Sequence, residues 1–237
     1  LCIVGGKNGL KAVIGLVITF ILVLLYLFPA IYRGMSPVNA AVITVILTTI
    51  ITIFVLTGYT RKSLAAILGT ISGVIISGIA AWLFGKISGI SGYNVSNIDN
   101  LVSVANCTNI KIGDLLFAGI LISSLGAVMD VGLSVASTIT EIHDVNPELN
   151  TGDLFKRGMN VGKDMMGTMA NTLILAFAGG SLSELLLDYA YNLPYLQIVN
   201  SYTIGIELMR GVAGSIGIIL TVPLVSLFAS VLMKIKF

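Results

Sequence analysis

Residues 115–140 read LLFAGILISSLGAVMDVGLSVASTIT, and this stretch decides the fold. An α-helix needs about 20 residues, at 1.5 Å each, to cross the ~30 Å hydrocarbon core of a bilayer, and the stretch is long enough. Asp130 is its single charged residue. The apolar residues run continuously and do not alternate with polar ones, so the stretch predicts a membrane-spanning helix rather than a barrel strand.

The composition of the whole chain also indicates a membrane protein. Of its 237 residues, 56% are hydrophobic and only 10% are charged, whereas soluble domains carry about 25% charged residues. This excludes a soluble enzyme and a disordered chain. The 13 basic and 11 acidic residues give a net charge of +2 and form no basic stripe, which argues against a nucleic-acid partner. We therefore expect the lipid bilayer to surround the chain.

Five further runs almost free of charge resemble the first. We predict a single all-α domain, a bundle of six transmembrane helices, at residues 12–32, 37–58, 63–85, 115–140, 165–187 and 203–233. Two of the segments between them are long. The loop 86–113 has too few large apolar residues for a domain of its own.

The other long connection is predicted to hold a short helix at about 151–163, capped by Asn150 or Thr151. Leu154, Phe155 and Met159 share one side of that helix. The pattern indicates an interfacial helix lying on the cytoplasmic headgroups, and a solvated connector is the alternative.

Basic residues predict the orientation, because they concentrate on the cytoplasmic side of membrane proteins. With a cytoplasmic N-terminus, nine lie inside: Lys7, Lys11, Arg61, Lys62, Lys156, Arg157, Lys163, Lys234 and Lys236. Three lie outside: Arg33, Lys86 and Lys111. We therefore predict a multi-pass protein of the cell membrane with both ends of this chain in the cytoplasm. Residues 1–4 are then expected to be the tail of a preceding segment.

The residues that commonly carry enzyme chemistry are few. Cys2 and Cys107 are predicted on opposite sides of the membrane, and His143 is the single histidine, so neither a metal site nor a cofactor is expected. His143 also lies in a predicted loop, away from any candidate nucleophile of an intramembrane protease. The sequence therefore predicts that the protein is not an enzyme.

Asp130 is the one charged residue inside the apolar run 115–140. It lies 16 residues beyond Asp114 and 11 before Glu141, which places it about 24 Å and 16 Å from the two ends of its helix. A carboxylate at such a depth costs on the order of 3 kcal/mol. Small or polar residues recur around it at steps of three and four, forming one stripe of a helix: Gly119, Ser123, Gly126, Asp130, Ser134, Ser137 and Glu141. We expect this stripe to face the interior of the bundle.

Residues at a similar depth in the membrane are the candidate partners of Asp130 for proton or ion coupling. Asn171, about 12 Å above Lys163, and Thr221, about 20 Å from Lys234, bracket its level. Arg210 lies too near the outer surface and is expected to pair with Glu207 three residues earlier. The possible supporting polar groups are Ser134, Ser137, Glu141, Thr168, Thr172, Glu207 and Arg210. Small residues of two other helices are expected to serve close packing: Gly69, Gly73, Ser77 and Gly217.

Three stretches resemble the YibE/F-like family of bacterial membrane proteins. They are residues 126–142 (GAVMDVGLSVASTITEI), 158–173 (GMNVGKDMMGTMANTL) and 207–223 (ELMRGVAGSIGIILTVP). The opening residues 5–11 (GGKNGLK) also fit the family, so the resemblance covers nearly the whole chain.

The pattern Gly-x-x-x-Asp at residues 126–130 also resembles, more loosely, a pattern in SecD and SecF, which belong to the resistance–nodulation–division superfamily. It implies that the bundle is like one half of those proteins and that Asp130 relays protons. This chain lacks the large extracytoplasmic domain of that superfamily within its 237 residues.

These features favour two hypotheses. The first is a proton-coupled permease or export component that uses Asp130. The second is a non-catalytic accessory subunit that pairs with a paralogous membrane protein, as SecD pairs with SecF. A homo-oligomer or a paralogous partner fits both, and no residue pattern specifies a substrate.

Overall fold

The computed structural model describes residues 2–95, 98–106 and 108–235, without the side chains of residues 2–5, 7 and 8. All regular structure in the described residues is helical. The predicted positions of Cys107, Lys236 and the side chains of Cys2 and Lys7 therefore lie outside the described part of the chain. The α-helices of this described part are α1 (Cys2–Leu22), α2 (Phe28–Tyr32), α3 (Pro37–Thr57), α4 (Arg61–Ser88), α5 (Ile98–Asn106), α6 (Leu115–Val145), α7 (Thr151–Gly180), α8 (Leu182–Ala190), α9 (Tyr195–Val199) and α10 (Tyr202–Lys234).

Five helical segments of the described residues are long and apolar enough to span a membrane. They are Gly9–Tyr32, Pro37–Thr57, Arg61–Ser88, Ile112–Val145 and Tyr202–Lys234. The sixth candidate is the pair α7–α8, which bends by 50° at its break. The protein is thus a multi-pass membrane protein with an all-α bundle fold. The break at Ser181 divides the fifth predicted span, 165–187, between two helices.

Local sequence explains where several helices begin, end or bend. Pro37 occupies the first turn of α3, where its missing N–H is not needed. The Thr60 side chain caps α4 by accepting a hydrogen bond from the Ser63 amide. Gly89 ends α4 in the left-handed conformation with a φ of +67°. The first span contains a π-helical turn at Val23–Leu27, just before Pro29, and such turns accommodate a proline without breaking the helix.

Helices α4, α6 and α10 form the centre of the bundle. Helix α7 packs on α10 and α6, α3 packs on α6, and α1 packs on α3. The interior consists mainly of aliphatic side chains, with Val128, Val131 and Val135 of α6 fully buried, and it also encloses several serine and threonine side chains. Small residues let the central helices approach closely, as predicted for Gly73, which lies against Thr221, and for Gly217, which lies against Ser77.

The predicted interfacial helix at 151–163 is not a separate element. It forms the first turns of α7, which continues without a break to Gly180. Leu154 is fully buried in the bundle core, and Gly158 and Gly162 lie against Ile139 and Val222. The segment is therefore part of a longer helix and not the separate short helix that the sequence predicted. The apolar side of this segment packs on neighbouring helices instead of on lipid. Its cap is as predicted, because the Asn150 side chain accepts a hydrogen bond of 2.8 Å from the Asp153 amide.

Candidate functional site

The stripe around Asp130 lies on the outside of the bundle. Gly119, Ser123, Gly126 and Asp130 are exposed, Ser134 and Ser137 are half-buried, and Glu141 is exposed at the end of the row. We call this set of seven residues the Asp130 face. A methyl group added to Gly119 or Gly126 would meet nothing within 4 Å. The prediction that the stripe faces the bundle interior is therefore wrong for a single chain.

The reason lies in what the other side of α6 contributes. Val128, Val131, Gly132, Val135 and Ile139 are buried against the neighbouring helices. Their close apolar packing fills the centre of the bundle and leaves the small and polar stripe on the surface. Helical periodicity shows which residues share a stripe, but it does not show which stripe faces inward. Here the Asp130 face and the valine-rich side of α6 are of comparable width, and either could have faced the interior.

Thr221, a predicted partner of Asp130, lies on the opposite side of α6. Its side chain is fully buried and packs on Gly73 and Gly132. Its hydroxyl donates to the Gly217 carbonyl oxygen at 2.7 Å. Asp130 precedes Gly132 by two residues, which turns it about 200° around the helix. The structure therefore does not bring Thr221 to Asp130, and Thr221 serves the packing of α4, α6 and α10.

Asn171, the other predicted partner, is exposed like Asp130. Leu173 of α7 and Ser124 of α6 both approach Gly214, which sets these residues at one level of the bundle. Asp130 lies six residues beyond Ser124 and Asn171 two residues from Leu173, so the two differ in level by about 6 Å. In the described part of the chain, neither side chain makes a hydrogen bond or ion pair. The structure brings them to neighbouring levels without joining them.

The supporting polar groups divide into three kinds. Ser134, Ser137 and Glu141 belong to the Asp130 face. Thr168 and Thr172 are exposed on α7, and their hydroxyls donate to carbonyl oxygens of their own helix, at 3.4 Å and 2.9 Å. The hydroxyl hydrogens of these threonines are therefore already bonded within their own helix.

Glu207 and Arg210 form the third kind, away from Asp130. The Arg210 Nη1 donates to the Glu207 Oε1 at 2.7 Å, so the predicted local pair is present. Gly214 is level with Ser124 and Thr221 with Gly132, so α6 and α10 run in the same direction. Arg210 then lies about 15 Å from the level of Asp130, which separates the two groups.

A protease pattern also occurs in the chain. Residues 89–92 read GISG, which matches the Gly-x-Ser-Gly pattern of intramembrane serine proteases. The Ser91 hydroxyl instead caps a short 3₁₀ turn by accepting a hydrogen bond from the Tyr93 amide. Gly92 packs on Ile112, just before α6 begins, whereas His143 lies near the end of α6. About 42 Å of helix separates these ends, so Ser91 and His143 form no catalytic pair.

Three stretches of sequence thus meet in the bundle: residues 126–142 on α6, 158–173 on α7 and 207–223 on α10. The family model described as YibE/F-like protein matches residues 1–235. The chain belongs to the YibE/F-like family. No curated protein and no solved structure matches the chain. In this YibE/F-like protein all three stretches contribute glycines to the packed interior, and that of α6 also carries Asp130 and most of the exposed Asp130 face.

Proposed function

We propose that this YibE/F-like protein is one subunit of a paired, proton-coupled permease or export component, in which a second membrane subunit covers the Asp130 face. The observation that carries the proposal is the position of Asp130, exposed at mid-helix on the outside of the chain. Lipid around an ionised carboxylate at that depth costs on the order of 3 kcal/mol. A subunit that offers polar groups or enclosed water removes that cost.

The neighbours of Asp130 support a protein covering. Gly119 and Gly126 leave open space beside the helix, and Ser123 and Ser134 add hydroxyl groups. Small residues in a row permit the backbone of a second helix to approach closely, and hydroxyl groups bond across such a contact. The covering subunit is either a second copy of this chain or a paralogue.

Proton coupling would depend on the protonation of the Asp130 carboxyl group. A carboxyl group between two subunits can take up a proton in one arrangement and release it in another, because protonation removes the charge that opposes burial. The resemblance of residues 126–130 to SecD and SecF supports the same role for Asp130. In this mechanism Asn171, exposed on α7 within about 6 Å of the level of Asp130, is the first candidate to bond the carboxyl group when the helices shift.

Proton movement through reconstituted protein tests this part. Liposomes that contain a pH-sensitive dye and the protein should lose an imposed pH gradient faster than empty liposomes. Asp130→Asn should return the rate to that of empty liposomes, whereas Glu148→Gln, at an exposed carboxylate outside the bundle, should leave it unchanged. Equal rates for the wild type and Asp130→Asn would refute coupling through Asp130.

The accessory-subunit hypothesis rests on the same exposed face. A non-catalytic subunit also needs a surface of small and polar residues to hold its partner. It differs in its expectation for Asp130→Asn, which would preserve the function of the complex as long as the partner stays bound. We propose no enzymatic activity for the chain.

A further inference from the structure

Two cavities of different character meet at the first turns of α10. The larger, of about 210 Å³, lies between α7, α8 and α10 and is lined almost wholly by apolar groups, among them Ile174, Phe177 and Leu208. The smaller, of about 130 Å³, is mainly polar and is lined by Asn94, Val95, Glu184, Thr203, Ile206, Glu207 and Arg210. Thr203 and Glu207 line both cavities. An apolar groove therefore adjoins a polar recess.

The bend between α7 and α8 accounts for the shape of the apolar groove. Helix α8 turns by 50° away from the axis of α7, so the two helices and α10 diverge around the break. Leu185 of α8 and Ala178 of α7 form two walls of the space. Leu208, 61% exposed, and Ile174, 44% exposed, place the groove on the surface of the bundle, where it is open to the hydrocarbon chains of the bilayer.

The polar recess carries a definite charge pattern. Glu184 and Glu207 contribute two carboxylates, and Arg210 contributes one guanidinium that already contacts Glu207 at 2.7 Å. The Glu207 side chain is 20% exposed and that of Arg210 is 32% exposed, so both are partly withdrawn from the surface. The residues that line the recess therefore carry a formal net charge of −1, with two carboxylates and one guanidinium close together.

We propose that the two cavities together bind one molecule of an ethanolamine phospholipid, with an acyl chain in the apolar groove and the headgroup in the polar recess. The primary ammonium of the headgroup donates hydrogen bonds to the carboxylates of Glu184 and Glu207. The lipid phosphate accepts from Arg210, whose planar guanidinium suits phosphate oxygens.

The charge pattern discriminates between headgroups. A primary ammonium has three N–H donors, whereas the quaternary ammonium of phosphatidylcholine has none to offer a carboxylate. Phosphatidylglycerol has a phosphate and no cation, so its charge is repelled by a recess that is already negative. The site should accordingly select phosphatidylethanolamine over both.

The depth of the recess matches the headgroup layer. Helix α10 has 33 residues, so it is about 50 Å long and exceeds the ~30 Å hydrocarbon core by about 10 Å at each end. Arg210 lies eight residues, or about 12 Å, from the start of the helix, which places it at the boundary of the core. Exposed tyrosines surround the same end of the bundle, as in an interfacial aromatic belt: Tyr189, Tyr191, Tyr195 and Tyr202.

Native mass spectrometry of the purified full chain tests the wild-type preference. The protein in detergent is titrated separately with phosphatidylethanolamine, phosphatidylcholine and phosphatidylglycerol of identical acyl chains. We expect phosphatidylethanolamine to bind about tenfold more tightly than the other two, because neither of them can donate charge-assisted hydrogen bonds from a primary ammonium to the two carboxylates. Equal affinity for all three, or a preference for phosphatidylglycerol, would overturn the proposal without any variant having to fold.

Variants then locate the site. Glu184→Gln and Glu207→Gln should each lower the affinity for phosphatidylethanolamine towards that for phosphatidylcholine, and the control Glu148→Gln should not. Ala178→Trp should fill the apolar groove and weaken all three lipids, whereas Ala176→Trp, at an exposed position outside the groove, should weaken none. A preference that survives both glutamine variants would place the lipid elsewhere. None of these substitutions touches Asp130, so this result is independent of the proposed transport function.

Discussion

Gly217 of α10 lies against Ser77 of α4, and a methyl group added to Gly217 would come within 2.8 Å of the Ser77 Cβ and 3.1 Å of the Gly73 carbonyl oxygen. The contact joins two of the three central helices. The Gly73 carbonyl oxygen belongs to the backbone of α4, which cannot move aside as a side chain can. A residue as small as glycine is therefore required where α4 and α10 cross.

Gly217→Ala should lower the stability of the protein. Overpacking a tight contact costs about 1–3 kcal/mol, and the loss should appear as a lower Tm in detergent. Gly167→Ala on α7 is the matched control, because a methyl group at Gly167 meets nothing within 4 Å and alanine is the better helix former. An unchanged Tm for Gly217→Ala would contradict the close approach of α4 and α10.

Leu154→Ala tests the packing of the first turns of α7. Leu154 is fully buried in the core, and removing a buried leucine side chain costs about 2–5 kcal/mol. Lys156→Ala, at an exposed position two residues further along, should change the Tm little. If residues 151–163 lay on the headgroups instead, the two substitutions would have similar small effects on thermal unfolding.

The Asn150 cap gives a third prediction. Asn150→Ala removes the acceptor for the Asp153 amide and should destabilise the start of α7 by about 1 kcal/mol. Hydrogen exchange of the amides of residues 152–154 should accelerate. Asn150→Asp keeps an acceptor at the same place and should preserve the slow exchange, whereas loss of protection in both variants would contradict a capping role.

Much of the fold could be predicted because it follows from length and continuity of apolar runs. Long helices of 21 to 33 residues cover most of the predicted spans, although the first continues through a π-helical turn into α2 and the fifth is divided between α7 and α8. The Asn150 cap and the Glu207–Arg210 pair follow from spacing within one helix. Such features depend on residues close in the chain. Their energetics are therefore visible in the sequence itself.

The side that each stripe faces could not be predicted in the same way. In a membrane both lipid and protein interior are apolar, so polarity does not distinguish inward from outward as it does in water. Leu154 and Met159 suit a headgroup layer as well as a neighbouring helix. The small residues of the Asp130 face suit a helix of the same chain as well as a second subunit, and only the packing of Val128, Val131 and Gly132 on the opposite side decides between them.

Disulfide cross-linking tests whether protein covers the Asp130 face. In a background of Cys2→Ser and Cys107→Ser, we expect Ser123→Cys, Gly126→Cys or Ser134→Cys to give an oxidised dimer of the purified chain in lipid nanodiscs, because a second copy brings equivalent positions together across a symmetric contact. Leu25→Cys, 73% exposed on the first span, is the control for random collision and should remain monomeric.

A product of different mass, formed by the stripe cysteines only in native membranes, would identify a paralogous subunit as the covering protein. If the stripe cysteines and the Leu25→Cys control cross-link equally, or if the stripe cysteines form no product in either setting, lipid contacts the Asp130 face and the paired function proposed for this chain is wrong.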